Sequence, residues 1–411
     1  MDSDQRIEIG TPRYRRLATA MVMAGFSIFS LLYSVQPLLP EFSSTFGISA
    51  ENASLAVSVA TGSMAAGILL ASWLSNRIGR RRLMICSLVS AGLFGTLAAI
   101  APSWEMLLVL RLLSGIALAG VPAVAMTYVA EEVAPSAISP AIGLYIAGSA
   151  IGGMIGRLGV AVAAEWLGWR WAMLVMGLFS LAAALIFSVS APASRAFVPR
   201  RESPRAFLTG YVRAMEDRVL LMLYGCGFLM MGAFVTIYNY APFRLAVEPY
   251  NLGHAEIGAI FLLYMLGSAS SARFGTLAGR IGVRRTFWRP VAILLIGVLL
   301  TAATPLWLIV SAIGIVTIGF FGAHTIASSW VSRRAFDNRS HASALYLFAY
   351  YAGSSLLGSA GGVLWSGWGW MGVTAFSATL CGIVLAIAFG IARTKPLDDP
   401  RQPKTGQQLP G

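Results

Sequence analysis

Charge is what this chain has least of. Asp, Glu, Lys and Arg make up 11% of its 411 residues, where a soluble domain carries roughly 25%. So little charge excludes an ordinary water-exposed surface. Acidic residues number 17 against 30 basic ones, a net charge of +13. On a soluble chain that excess would point to nucleic acid. Here the Arg residues fall in short loops between apolar runs, not on a polar helix face, and no nucleic-acid partner is expected. Cysteine is reduced to Cys86, Cys226 and Cys381, widely spaced and each inside an apolar run. They offer neither a disulfide framework nor metal-ligand spacing and read as small core residues. No Gly-rich phosphate loop, His-Glu-x-x-His or Ser/His/Asp grouping is present. The chain is therefore not expected to be an enzyme, to use ATP, or to need a metal or other cofactor.

Apolar residues fill the space, at 57% of the chain with mean hydropathy +0.73. Ten stretches lack Asp, Glu, Lys and Arg: 17–40, 52–76, 83–104, 112–130, 133–156, 171–194, 219–243, 257–272, 290–332 and 342–392. The last two would make helices of about 65 and 77 Å at 1.5 Å per residue, roughly twice a bilayer core. Each must be a pair, broken at Thr304-Pro305 and at Gly367-Trp368-Gly369. The count is twelve transmembrane helices in an all-α integral membrane protein. The first 16 residues are charged and the next 24 apolar, too long a run for a signal h-region of about 7–15 residues. It reads as an uncleaved first span. The fourth span extends back to about Ser103 and carries Arg111 inside it.

The chain repeats itself. Arg77-Ile78-Gly79-Arg80-Arg81-Arg82 returns as Arg280-Ile281-Gly282-Val283-Arg284-Arg285; Tyr145-Ile146-Ala147-Gly148-Ser149 returns as Tyr350-Tyr351-Ala352-Gly353-Ser354; Gly168-Trp169-Arg170-Trp171 returns as Gly367-Trp368-Gly369-Trp370. Three matches in one order at one offset of about 200 residues indicate two halves of six helices each. The expected organisation is a tail 1–16, a six-helix bundle 17–194, a linker 195–218 with a short amphipathic helix near Phe207–Met215, a second bundle 219–392, and a disordered polar tail 393–411. With both termini cytoplasmic, 26 of the 30 Lys and Arg lie on that side and three, Arg157, Arg170 and Arg244, on the other. That asymmetry fixes the orientation.

Twelve spans as six plus six, with a basic loop after the second and eighth, resemble the major facilitator superfamily over about residues 17–392. The family's loop motif runs roughly Gly-x-x-x-Asp-Arg-x-Gly-Arg-Arg. Here Ser72 replaces its first Gly and Asn76 its Asp, ahead of Arg77, Gly79, Arg80 and Arg81; the second copy has Gly275 but Gly279 at the Asp position. Gly79 and Gly282 suit tight turns. The Arg residues read either as topology signal beside lipid phosphates or, as the resemblance implies, as a charge network that holds one side closed. In the second reading Asn76, Arg77, Gly79, Arg80, Gly282 and Arg284 form the switch, and Glu131 and Glu132, at the cytoplasmic end of the fourth span, are the expected stand-ins for the missing acid. Arg111 and Gly115 match the family's Arg-x-x-x-Gly of the fourth span. An Arg within the membrane is costly and normally faces a cavity or a partner, so a functional and a structural role both stand.

The resemblance implies a central cavity lined by the first, fourth, seventh and tenth spans. Gln36-Pro37 and Ala241-Pro242 end the first and seventh spans at equivalent places. Tyr33, Gln36, Arg111, Tyr145, Tyr238, Asn239, His324 and Tyr350 are the candidate substrate contacts, although aromatics near helix ends also serve as interfacial anchors. His324 reads as a proton carrier or a packed core histidine; with Glu41 and Arg111 it makes up the candidate proton-coupling set. Arg157 either faces the cavity or pairs with Glu165 or Glu41. Gly143, Gly148, Gly152, Gly153 and Gly156 of the fifth span give a small-residue stripe, expected to pack against the other half, with Gly353, Gly358, Gly361 and Gly362 as its mirror.

Val35-Gln36-Pro37-Leu38-Leu39-Pro40, Tyr238-Asn239-Tyr240 and Gly143-Leu144-Tyr145 resemble the acriflavin-sensitivity branch of bacterial inner-membrane exporters. The resemblance implies a monomeric secondary transporter of the inner membrane, exporting small amphipathic solutes in exchange for protons by alternating access. Import of a small organic solute and a non-transporting sensor on the same scaffold are the alternatives. No acid lies centrally in a span, which argues against lone organic cations as substrates.

Overall fold

A computed structural model describes residues 6–194, 197, 203–335 and 338–393. The expected disordered tail, apart from Arg393, and much of segment 195–202 lie outside these residues. Among them the chain is helical, with one isolated β-bridge that straps Ile7 to Val133. Eight helices are long and apolar enough to cross a membrane. Two of these, Pro135–Ser190 and Arg339–Ala392, are broken by non-helical backbone at Gly168 and Gly369. Each therefore crosses twice. Two further crossings come from helices too short for that length test, Trp104–Leu118 with its continuation Ala125–Glu132, and Trp288–Leu300. That makes twelve.

In order, α1 is Pro12–Leu32, α2 Ala50–Ile78, α3 Arg80–Ala98 and α4 Trp104–Leu118 with Ala125–Glu132. α5 and α6 are 135–167 and 169–190. The linker carries its own helix, Pro204–Met215, capped by Ser203. Then come α7 Arg218–Leu245, α8 His254–Ile281, α9 Trp288–Leu300 and α10 Leu306–Arg334. α11 and α12 are 339–368 and 370–392. The chain enters α1 and leaves α12 on one face, here the terminal face; the opposite end is the distal face. The bundle exterior is apolar where lipid would lie, with Leu70, Leu93, Val109, Phe179 and Leu356 exposed, as a membrane solvent permits and water does not.

The internal repeat reappears in backbone geometry. Gly79 has φ 94°, ψ 144° and Gly282 has φ 92°, ψ 145°. An L side chain rarely adopts this conformation, so the same turn is built with glycine in both halves. The two halves diverge at the distal end. The apolar run 17–40 reads as one span, but α1 stops at Leu32 and resumes as a short turn at Gln36–Leu38 and a helix Leu39–Phe46. α7 instead runs through Pro242 to Leu245.

Two expectations are corrected. The glycine stripe of α5 packs within its own half: a Cβ on Gly148, Gly152 or Gly156 would lie 2.3–2.5 Å from the carbonyl oxygens of Val22, Phe26 and Ser30 of α1. Gly353 meets the backbone of Phe228 of α7 in the same way, and Gly361 meets the Thr236 side chain. Small residues serve here for the closest helix crossing inside each bundle, where backbones touch. Across the halves the close approaches come from Gly62 at Ser355, Gly258 at Ala161 and Gly362 at Glu51. Cys86 is exposed rather than packed in a core, while Cys226 and Cys381 are buried.

Candidate transport site

Arg111 is buried and spends its guanidinium on backbone. Nε donates to Ala56 O of α2 at 2.8 Å, and the two terminal nitrogens donate to Leu31 O and Leu32 O at 3.0 and 2.6 Å. Leu31 and Leu32 are the last residues of α1, where helix carbonyls run out of intrahelical donors and carry the negative end of the helix dipole. Arg111 caps the break in α1.

Arg157, also buried, sits where four helices meet. Nε donates to Gln36 Oε1 at 2.8 Å, one terminal nitrogen to Gly153 O at 2.7 Å, and the other to Tyr264 Oη of α8 at 3.2 Å. Its guanidinium carbon lies 4.4 Å from the Tyr33 ring centroid, 4.3 Å from that of Tyr264 and 5.4 Å from that of Phe261, an aromatic cage that offsets part of the desolvation cost. Neither expected carboxylate pairs with it. Glu165 accepts from the Ala255 backbone N–H at 3.1 Å, and Glu41 lies 3.2 Å from His254 Nε2. Both acids sit at the N-terminus of α8, the positive end of a helix dipole.

Gln36 relays the contact. Its Nε2 donates to Asn239 Oδ1 of α7 at 2.8 Å. These residues were singled out by their matching prolines; in space they bond to each other across the pseudo-twofold axis. Toward the distal face the halves are joined directly by Gln36–Asn239, Arg157–Tyr264, Glu165–Ala255, Glu41–His254 and Ser359–Ser58. Toward the terminal face the described contacts run through the linker helix. Tyr211 Oη donates to Leu69 O at 2.8 Å, Asn338 Nδ2 donates to Gly210 O at 2.6 Å, and His341 packs edge-on against Tyr211 and tilted against Phe207.

Between these ends lies a tyrosine cluster. Tyr33, Tyr145, Tyr264, Tyr346, Tyr350 and Tyr351 lie near one another, and Tyr350 packs on Tyr351, Tyr346 and His324. His324 Nδ1 shares a 3.0 Å hydrogen bond with Tyr346 Oη. Of the residues expected to contact substrate, Tyr33, Tyr145, Tyr350 and His324 converge here. Tyr238 is turned into the second half, bonded to Thr317 at 2.7 Å and stacked on Phe261. Tyr264, Tyr346, Tyr351 and Ser354 were not anticipated. Tyr351 and Ser354 lie inside the repeat that flagged Tyr350, so that signal was present.

At the terminal face Arg80 joins Glu131 of α4 at 3.0 Å, and also donates to Asn76 Oδ1 at 2.7 Å and to Ser75 Oγ. Glu131 and Asn76 thus share one guanidinium. Arg77 lies over the Trp73 ring, and Arg81 donates to the carbonyls of Ser188 and Ala191. Arg284, in the equivalent turn, lies within electrostatic reach of Arg334, which pairs with Asp217 at 2.6 Å.

Twelve helices in two six-helix halves, with polar contacts joining the halves at one end and a basic turn repeated at the other, are the architecture of a membrane transporter. The Major Facilitator Superfamily model matches residues 17–357, and the chain belongs to that family. It is 39% identical to the uncharacterized MFS-type transporter YybF of Bacillus subtilis over 97% of this chain and 98% of that one. It is 40% identical to the inner membrane transport protein YnfM of Escherichia coli over 95% and 94%. The fold is shared with a bacterial homolog of the human lysosomal transporter Spinster, TM-score 0.78 at 15% identity, covering 93% of this chain and 98% of that one.

Proposed function

We propose that this multi-pass membrane transporter exports small amphipathic organic compounds in exchange for protons. It acts as a monomer in the bacterial inner membrane, with its terminal face in the cytoplasm. In this reading the conformation described is closed on the outside. The observation that carries it is the distal closure. Gln36, Asn239, Arg157 and Tyr264 join the halves by bonds between neutral partners or from a single cation, contacts that can part without separating opposite charges. The tyrosine cluster supplies what an amphipathic solute needs, apolar ring faces with hydroxyls at their edges. In this reading Glu41 with His254 at the outer gate, and His324 at the centre, take up and release protons; Arg111 contributes by holding the break in α1. The positive-inside asymmetry of 26 to 3 Arg and Lys supports the orientation. Inverted vesicles energised with a pH gradient test the reading. Gradient-dependent accumulation of a solute, lost in Gln36→Leu, is expected. Accumulation that a proton uncoupler leaves unchanged would remove proton exchange from the account, and accumulation in right-side-out vesicles alone would reverse the direction.

A further inference from the structure

Arg157 is answered by three neutral acceptors, Gln36 Oε1, Gly153 O and Tyr264 Oη, and by no acid. A guanidinium has no acceptor. Its Nε therefore faces the oxygen of Gln36, the amide nitrogen of Gln36 must face Asn239, and Asn239 Oδ1 is consumed as acceptor. This one-way polarity leaves Asn239 Nδ2, buried, without a partner. A Cβ built on Gly358 of α11 would lie 3.5 Å from that nitrogen. One turn earlier on α11, Ser354 Oγ sits beside Tyr33 Oη. Both hydroxyls are buried, and neither makes a hydrogen bond of good geometry. Contacts thus gather Arg157, Tyr33, Asn239 and Ser354 where α1, α5, α7 and α11 meet, three unpartnered polar groups around one positive charge. Among the described residues no carboxylate lies within ion-pair distance of Arg157.

A buried cation in the membrane is stabilised by a counter-charge, and uncommitted donors around it are a carboxylate's coordination shell. We propose that this region is the binding site for the anionic group of the solute, an organic carboxylate whose apolar body lies against Tyr264, Tyr350 and Tyr351. The proposal rests on the transporter reading. It also supplies a trigger. The oxygen that Arg157 holds now is that of Gln36, in the place an anionic oxygen would take. A carboxylate arriving on Arg157 displaces Gln36, and with it the Gln36–Asn239 bond that joins the halves at the distal gate. Binding and opening become one exchange of hydrogen bonds.

The test uses the full-length protein in detergent, with benzoate, phenylacetate and 4-phenylbutyrate as probes, each matched to its primary amide. Thermal stabilisation reports binding by mass action. Acids should stabilise the wild type with about tenfold tighter apparent binding than their amides, since charge-assisted bonds are roughly twice as strong as neutral ones. Arg157→Gln should abolish the acid preference, Arg157→Lys should keep part of it, and Ser354→Ala should weaken acids and leave the preference intact. If Arg157→Gln does not fold, Arg157→Lys and Tyr264→Phe carry the comparison. Equal effects of all acids and amides on the wild type would overturn the proposal, as would a preference that survives loss of the guanidinium. Vesicle transport of the amides separates the two levels. Amides carried and acids refused sinks the anion site alone, whereas acids that bind but are not carried support the site and count against transport.

Discussion

Arg111→Lys should destabilise the protein at least as much as Arg111→Met. The reason lies in what Arg111 does here. Its three bonds go to three carbonyls, two on the last residues of α1 and one on α2. Leu31 O also accepts from Ser34 Oγ at 3.1 Å, so Leu32 O is the acceptor most dependent on the guanidinium. Bonds involving a charged group contribute about 1.5–3 kcal/mol each, offset by a desolvation cost of several kcal/mol for the buried ion. Met gives up both terms and orphans the Leu32 carbonyl where no water can satisfy it, at a cost of about 1–3 kcal/mol, plus an imperfect fit of the shorter chain. A net loss of about 2–4 kcal/mol is expected. Lys keeps the desolvated charge and loses the planar fork that reaches three acceptors at once, so it retains the cost with fewer bonds. The assay is the apparent melting temperature of the purified variants in one detergent, beside the fraction that runs monodisperse. A Lys variant close to wild type with a badly damaged Met variant would refute the reasoning. It would mean that the site needs a positive charge and not a three-way cap on α1.

Gly152→Val should collapse folded yield, because a Cβ there meets Phe26 O at 2.3 Å, whereas Gly143→Ala, with nothing within 4 Å, should be silent; size-exclusion profiles of the two decide it. Glu131→Gln removes the partner of Arg80 at a part-exposed site, where such pairs contribute about 0–1 kcal/mol. Melting temperature should hardly move while the transport rate changes, and unchanged transport would make the pair a topology feature. Reporter fusions after Gly210 and after Thr394 should both read cytoplasmic.

Much of this was legible in the sequence. Span number followed from the scarcity of charge, and the repeat at Arg77–Arg82 and Arg280–Arg285 foretold the matching turns at Gly79 and Gly282. The depth of Arg111 came from counting along the helix. Its partners did not, because they exist only where α1 stops, and Tyr33-Ser34-Val35 holds nothing that separates a break from a continuing span. The glycines of α5 announced a close crossing but not with which helix. Arg157 had two open readings, and neither named Gln36; a neutral amide gives no pattern that a charge would. Tyr264 lies in an ordinary apolar stretch, and only the crossing of α5 and α8 brings it to Arg157.

The central claim is that the two halves rock about the described site, closing one face as the other opens. Distances between spin labels measure this most directly. One pair spans the distal face at Trp166→Cys and Val247→Cys; the other spans the terminal face at Ile78→Cys and Ile281→Cys, all exposed positions. Replacing Cys86, the exposed native thiol, clears the background. In lipid nanodiscs, Gln36→Leu with Asn239→Leu should loosen the distal gate without any added solute. The account predicts that the distal distance then lengthens while the terminal distance shortens. Both distances unmoved in a double variant with altered transport, or both shifting in the same direction, would contradict it.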